Sequence, residues 1–239
     1  MTRHLQREIE RIKKKILSLS AMVEERLHLS VKSIAERNSE MALRVCESDW
    51  EIDRMEVEVE EDCLKILALH QPVAIDLRFL IAVLKINSDL ERIGDLAAGI
   101  AEQGIFLAAR PRVVLPFDFP RMAEIAKDML KGAIDSLVSM NPDLAAGVCL
   151  RDDEIDGLHR EMYRQVEAGM RAQPDQIETY IHMLAVSRQL ERIGDHATNI
   201  AEDVIYMVEG IIARHRMDQY NHSEESGGDS GTAGPSGSD

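Results

Sequence analysis

Aromatic residues are scarce in this chain: one Trp, four Tyr and four Phe in 239 residues. Glycine and proline are also few, at 14 and 7. Sheets gather β-branched and aromatic side chains, so this composition disfavours them and favours helices. Cysteine occurs as Cys46, Cys63 and Cys149 only. An odd number with no CxxC pair argues against a disulfide framework or a thiolate zinc site. The longest uncharged apolar run, Phe79–Leu84, is far too short to span a bilayer. The opening MTRHLQREIERIKKK has no apolar stretch, so no secretory signal is expected and a cytoplasmic location is. Positive charge is in deficit, with 28 Lys and Arg against 43 Asp and Glu and a net charge of -15. Phosphate backbones need a basic footprint, so nucleic acid is not an expected partner. Acidic lipid should repel the chain, which leaves protein partners as its route to a membrane. The acidity points to cations or basic protein surfaces.

What the chain does have is helical periodicity. Ile9, Ile12, Ile16, Leu19, Val23, Leu27 and Ile34 recur at steps of three and four and mark one apolar helix face. Asn38 and Ser39 offer an N-cap for a second helix reaching about Leu69. Gln71-Pro72 interrupts the chain, and a third helix runs to about Ala109. Arg110–Phe117, with two prolines, reads as a linker. Asp118 and Pro120 open a fourth helix and Asn141-Pro142 a fifth. Gln173-Pro174 precedes a sixth that reaches about Arg216. The remainder is Gly/Ser-rich and acidic with no apolar face, and disorder is expected there.

The two halves repeat. LERIGDLAAGIAE at 90–102 returns as LERIGDHATNIAE at 190–202, differing only at Leu96/His196, Ala98/Thr198 and Gly99/Asn199. Val45-Cys46-x-x-Asp49-x-x-Ile52-Asp53 returns as Val148-Cys149-x-x-Asp152-x-x-Ile155-Asp156. Asn38 corresponds to Asn141, and Gln71-Pro72 to Gln173-Pro174. Three amphipathic helices joined by short turns make an antiparallel bundle. The expected fold is therefore all-α: two tandem, repeat-related antiparallel three-helix bundles. The first takes residues 1–109 and the second 118–216, with a linker at 110–117 and a tail at 217–239.

Each half carries two acidic pairs at i,i+4 spacing: Asp49 with Asp53 and Glu91 with Asp95, then Asp152 with Asp156 and Glu191 with Asp195. Residues four apart share a helix face. Like charges so placed cost an isolated helix roughly 0.2–0.5 kcal/mol, and the recurrence calls for compensation. Hard cations prefer oxygen ligands, and neighbouring helices could present four carboxylates to one site. The competing reading is a solvated face, with Arg92 and Arg192 pairing to Asp95 and Asp195. Gly94 and Gly194 cost roughly 1 kcal/mol each against Ala in a helix. Close helix approach beside the acids explains them, as does tight packing without metal. Cys46 and Cys149 follow a Val on an apolar face and read as small core residues. His196 has Leu96 as its counterpart and is set aside. There is no phosphate loop, GxSxG or dinucleotide fingerprint, and Glu25-x-x-His28 has no second copy for a di-iron bundle. No catalytic residues are expected.

The repeated LERIGD…IAE helix, the VxxxDxxID helix, Gln71-Pro72-x-Ala74-x-Asp76-Leu77-Arg78 and the two three-helix halves resemble the PhoU family over residues 5–216. The resemblance implies a cytoplasmic negative regulator of the phosphate response, active in signal transduction and phosphate homeostasis. Such a protein is an adaptor between the ATPase subunit of a phosphate ABC transporter and a sensor histidine kinase. It also implies a homodimer or higher homo-oligomer. Some members of that family bind multinuclear iron or zinc clusters through E(D)xxxD motif pairs. Carried over, one metal site uses Asp49, Asp53, Glu91 and Asp95, and the other Asp152, Asp156, Glu191 and Asp195, with manganese or magnesium as alternatives. The second half departs from the family form at Gln173-Pro174-Asp175-Gln176-Ile177-Glu178. Two other functions stay open: a carboxylate-bridged metalloenzyme acting on phosphate compounds, which needs an open coordination position and a base, and a metal-free helical scaffold.

Overall fold

The computed structural model describes residues 3–113 and 119–210. Part of the expected linker, the end of the expected sixth helix and the Gly/Ser-rich tail lie outside them. Every regular element described is helical: α1 (Arg3–Glu36), α2 (Ser39–Glu47), α3 (Trp50–His70), α4 (Ile75–Ala108), α5 (Phe119–Ser139), α6 (Pro142–Cys149), α7 (Asp152–Ala172) and α8 (Ile177–Glu209). A short 3₁₀ turn at Pro174–Gln176 precedes α8. The periodic stripe of α1 is buried from Ile9 through Leu27, with Ile34 packed at its edge. Leu90, Ile93, Ala97 and Ile100 of α4 are fully buried, as are their counterparts in α8.

One expectation is corrected. The second helix of each half is not continuous but breaks at Ser48–Asp49 and again at Leu150–Arg151. No proline or glycine marks either break. In the first half the side chain of Arg26, reaching across from α1, donates to the Ser48 carbonyl at the break, which also accepts from the Glu51 amide. Asn38 and Asn141 cap as expected. Asn38 Oδ1 accepts from the Met41 amide at 3.0 Å, and Asn141 Oδ1 from the Asp143 amide at 2.9 Å.

The helices α4 and α8 have 34 and 33 residues. Each is about 50 Å long at 1.5 Å per residue. They run antiparallel along one another. Lys85 meets Asp203, Asp89 meets His196, Gln103 meets His182 and Arg110 meets Glu178, so the second number falls as the first rises. Asp89 faces Asn199, and Gln189 lies against Gly99. These are the same two motif positions with the halves exchanged, which gives the molecule an approximate twofold axis between α4 and α8. Most buried apolar side chains of both halves form one continuous cluster across this seam. Neither half therefore stands apart from the other.

Candidate metal centres

The close approach of α3 to α4 is set by Ile52 lying over Gly94. A Cβ built on Gly94 would sit 2.9 Å from Ile52 Cδ1 and 3.3 Å from its Cγ2. In the second half Ile155 lies over Gly194, with Cγ2 3.0 Å from the same position. Ile52 falls between Asp49 and Asp53 in the sequence, and Gly94 between Glu91 and Asp95. The apolar contact thus turns the two acidic pairs of each half toward each other, on the solvent side of the core. Gly94 and Gly194 serve close helix approach.

The outcome is a carboxylate triad in each half. Asp49, Asp53 and Asp95 each offer an oxygen within 4.8 Å of the other two, and so do Asp156, Glu191 and Asp195. Glu91 and Asp152, also expected as ligands, are not among the grouped residues. The Glu91 carboxyl feels Asp95 and Asp53, and that of Asp152 feels Asp195 and Asp156. Partial burial first, and neighbouring carboxylates second, hold several of these acids above the usual carboxylate range. Asp152 is raised by burial and then by Asp195 and Asp156. Glu191 is raised by burial and Asp156, and Asp195 by burial, Glu191 and Asp156. Asp49 is raised by burial against the opposing charge of Arg26, with Asp53 and Asp95 adding to the rise.

The salt-bridge alternative is realised in part. Arg92 lies 3.1 Å from Asp95 and 3.5 Å from Glu91, with its own side chain 59% exposed. Such pairs contribute little and screen readily, so they do not neutralise the cluster. Contacts of two other residues escaped sequence reasoning. Thr198 Oγ1 donates to Asp152 Oδ1 at 3.3 Å. Arg26 Nη1 donates to Asp49 Oδ1 at 2.6 Å, and Arg26 Nη2 to Ser48 Oγ at 3.1 Å. Arg26 is 5% exposed. The available signal was its place in the stripe after Leu19 and Val23, where a base interrupts an apolar face.

Neither triad includes a histidine or a cysteine. His196 Nδ1 meets Asp89 Oδ1 at 2.8 Å across the α4–α8 seam. Burial pushes the Cys63 and Cys149 thiols up to about 12, far from thiolate reactivity at neutral pH. Cys46 is half-buried and packs beside Ala42 and Val45.

A sequence profile for the PhoU domain matches the chain twice, over residues 16–104 and 119–204. The chain belongs to the PhoU family. A phosphate-specific transport system accessory protein PhoU homolog of Pseudomonas putida is 36% identical over 87% of this chain and 82% of its own length. The homolog of the same description from Aquifex aeolicus is 35% identical over 88% of this chain and 95% of its own. The crystal structure of PhoU from Pseudomonas aeruginosa superposes with a TM-score of 0.82 at 33% identity, covering 86% of this chain and 99% of that one. The phosphate transport system regulatory protein PhoU from Streptococcus pneumoniae gives 0.79 at 26% identity, over 87% and 98%. The paired halves seen here are therefore the paired PhoU domains. This PhoU-family chain has no described helix long and apolar enough to cross a membrane.

Proposed function

We propose that the chain is a phosphate-transport accessory protein that acts without catalysis, as a negative regulator of the phosphate-starvation response. It reports the state of a phosphate ABC transporter, through the ATPase subunit, to a sensor histidine kinase. It works in the cytoplasm as a homodimer or higher homo-oligomer and reaches the membrane only through these partners. The observation that carries the proposal is the double PhoU-domain match together with relatives described as transport accessory and regulatory proteins. An adaptor of this kind transmits a signal only by binding its partners differently in two states.

The two triads fit a divalent cation in each half. Their donor sets are all carboxylate, the chemistry that hard and borderline cations prefer, and burial and mutual repulsion already disfavour the bare charges. In the first half Asp49, Asp53, Glu91 and Asp95 would hold the metal, and in the second Asp152, Asp156, Glu191 and Asp195. Iron or zinc, singly or as a cluster, is the proposed occupant, with manganese or magnesium as alternatives. A bound cation supplies charge neutralisation. The chain's own part is positional: Ile52 on Gly94 and Ile155 on Gly194 hold the ligand-bearing helices at fixed spacing, so that metal occupancy stiffens the α3–α4 and α7–α8 pairs that partners would contact.

The regulatory role is tested by deleting the gene in its host and following a phosphate-regulated reporter in phosphate-rich medium. Release of the reporter is expected. A reporter that stays silent would remove the negative-regulator assignment.

A further inference from the structure

The two clusters are repeats of one design, yet they differ at one buried position. Asn38 and Asn141 align, as do Leu27 with Leu130 and Ser33 with Ser136, and in this register Arg26 is replaced by Met129. Met129 is fully buried, with its Cε 3.5 Å from where a Cβ on Gly194 would stand. The second half thus has an apolar thioether where the first has a guanidinium. At the break itself the polarity is also reversed. Arg151 occupies the position of Ser48 and turns outward to Asp128 at 3.4 Å, away from the cluster.

Arg26 is not a surface cation that can swing aside. It is buried, donates to the Ser48 carbonyl and Ser48 Oγ, and meets Asp49 Oδ1 at 2.6 Å. A guanidinium stays protonated under any ordinary condition. It therefore takes one carboxylate oxygen from the triad and holds a fixed positive charge beside it, where the surroundings screen less than water does. Arg92 adds a second, exposed charge on Asp95. In the second triad Arg160 lies 3.8 Å from Asp156 and is 66% exposed, a long contact that a cation displaces readily, while Arg188 and Arg192 act on Glu191 and Asp195 through space. Asp152, beside that triad, accepts from the neutral hydroxyl of Thr198.

We propose that Arg26 makes the two clusters unequal, so that a divalent cation fills the second-half cluster first and the first-half cluster only at much higher concentration. The inequality rests on the metal-binding reading of the preceding section. Arg26 acts here as a specificity-determining residue: the first half carries a covalently tethered cation, and the second keeps its carboxylates available. Under rising metal the protein then has a half-filled state, with one half stiffened and the other unchanged.

The test is titration of the full chain with Mn²⁺, reading free ion by electron paramagnetic resonance, with circular dichroism to verify folding of each variant. The wild type should show two classes of site separated by roughly tenfold or more, the scale on which groups around a ligand change metal affinity. Asp156→Asn with Asp195→Asn should abolish the tighter class, and Asp53→Asn with Asp95→Asn should leave it intact. In the Asp156→Asn/Asp195→Asn background, Arg26→Gln should tighten the remaining class by about tenfold or more. Arg26→Met, which copies the other half, should do the same and serves if the amide variant fails to fold. Loss of the tighter class with Asp53→Asn/Asp95→Asn would overturn the proposal, as would Arg26 variants whose first-half binding is unchanged or weaker. Two equal classes in the wild type would overturn the inequality and leave the metal reading standing. A wild type that binds no Mn²⁺ at all would overturn both.

Discussion

Replacing Gly94 by valine should separate α3 from α4 and cost stability, although glycine is a poor helix former. The new Cβ would arrive 2.9 Å from Ile52 Cδ1 and 3.3 Å from Ile52 Cγ2. The terminal methyl could turn away, but Ile52 is 1% exposed and its branched Cγ2 is fixed to a stiff rotamer. Removing glycine from a helix interior gains up to about 1 kcal/mol. Overpacking a filled core costs typically about 1–3 kcal/mol, and valine adds two further methyl groups to the clash. A net loss of roughly 1–2 kcal/mol is expected, read as a fall in melting temperature of about 2–8 °C for a chain of this size. Gly157→Ala in α7 is the control, because a Cβ there meets only Arg160 Nη2 at 4.0 Å. That variant should melt higher, by up to about 1 kcal/mol. Urea or thermal unfolding followed by circular dichroism measures both. A Gly94→Val protein as stable as the Gly157→Ala control would show that Gly94 is not a contact point, and that the acids are brought together by something else.

Stability of the chelated protein should depend on pH in a defined direction. Asp49, Glu91, Asp152, Glu191 and Asp195 are raised in the folded state. The native state therefore binds more protons than the unfolded chain above the ordinary carboxylate range, and the contribution of these groups is lost as pH rises through their folded values. Asp62, held down by Lys15, works the other way. Unfolding in chelator should show wild type losing stability from mildly acid to neutral pH relative to a variant with Glu191→Gln and Asp195→Asn; parallel profiles would count against the clusters. At the seam, Lys85→Met removes the 2.7 Å bond to Asp203, which is 3% exposed. It should cost roughly 1–3 kcal/mol in urea unfolding, and a change within 0.5 kcal/mol of zero, the usual range for surface substitutions, would show the pair to be incidental.

The repeated LERIGD helix and its acidic spacing made the helical class and the two halves legible, and pointed to the acids of which three gather in each half. Helix periodicity places i,i+4 acids on one face, and the glycine beside them signals close approach. The breaks at Ser48–Asp49 and Leu150–Arg151 were not legible, because the apolar period runs through them without proline or glycine. What supports the first of them is tertiary, a guanidinium 23 residues earlier in the chain. Arg26 stood out only as a base within an apolar stripe; its role depends on which helix faces the break. The α4–α8 seam was equally hidden. An apolar stripe shows which face is buried and not what buries it, and the seam's polar pairs, such as Asp89 with His196, join positions far apart in the chain.

The proposal that the carboxylate clusters bind metal stands or falls on melting curves of two proteins, each in chelator and in excess Mn²⁺. The first is wild type and the second carries Asp53→Asn, Asp95→Asn, Asp156→Asn and Asp195→Asn. Bound metal should stabilise wild type by roughly 2.7 kcal/mol per site at a hundredfold excess over its dissociation constant. The variant, relieved of like-charge repulsion, should melt above wild type in chelator and gain nothing from metal. A variant that melts lower in chelator, beside a wild type with no metal-dependent shift, would mean that these acids are ordinary salt-bridging residues.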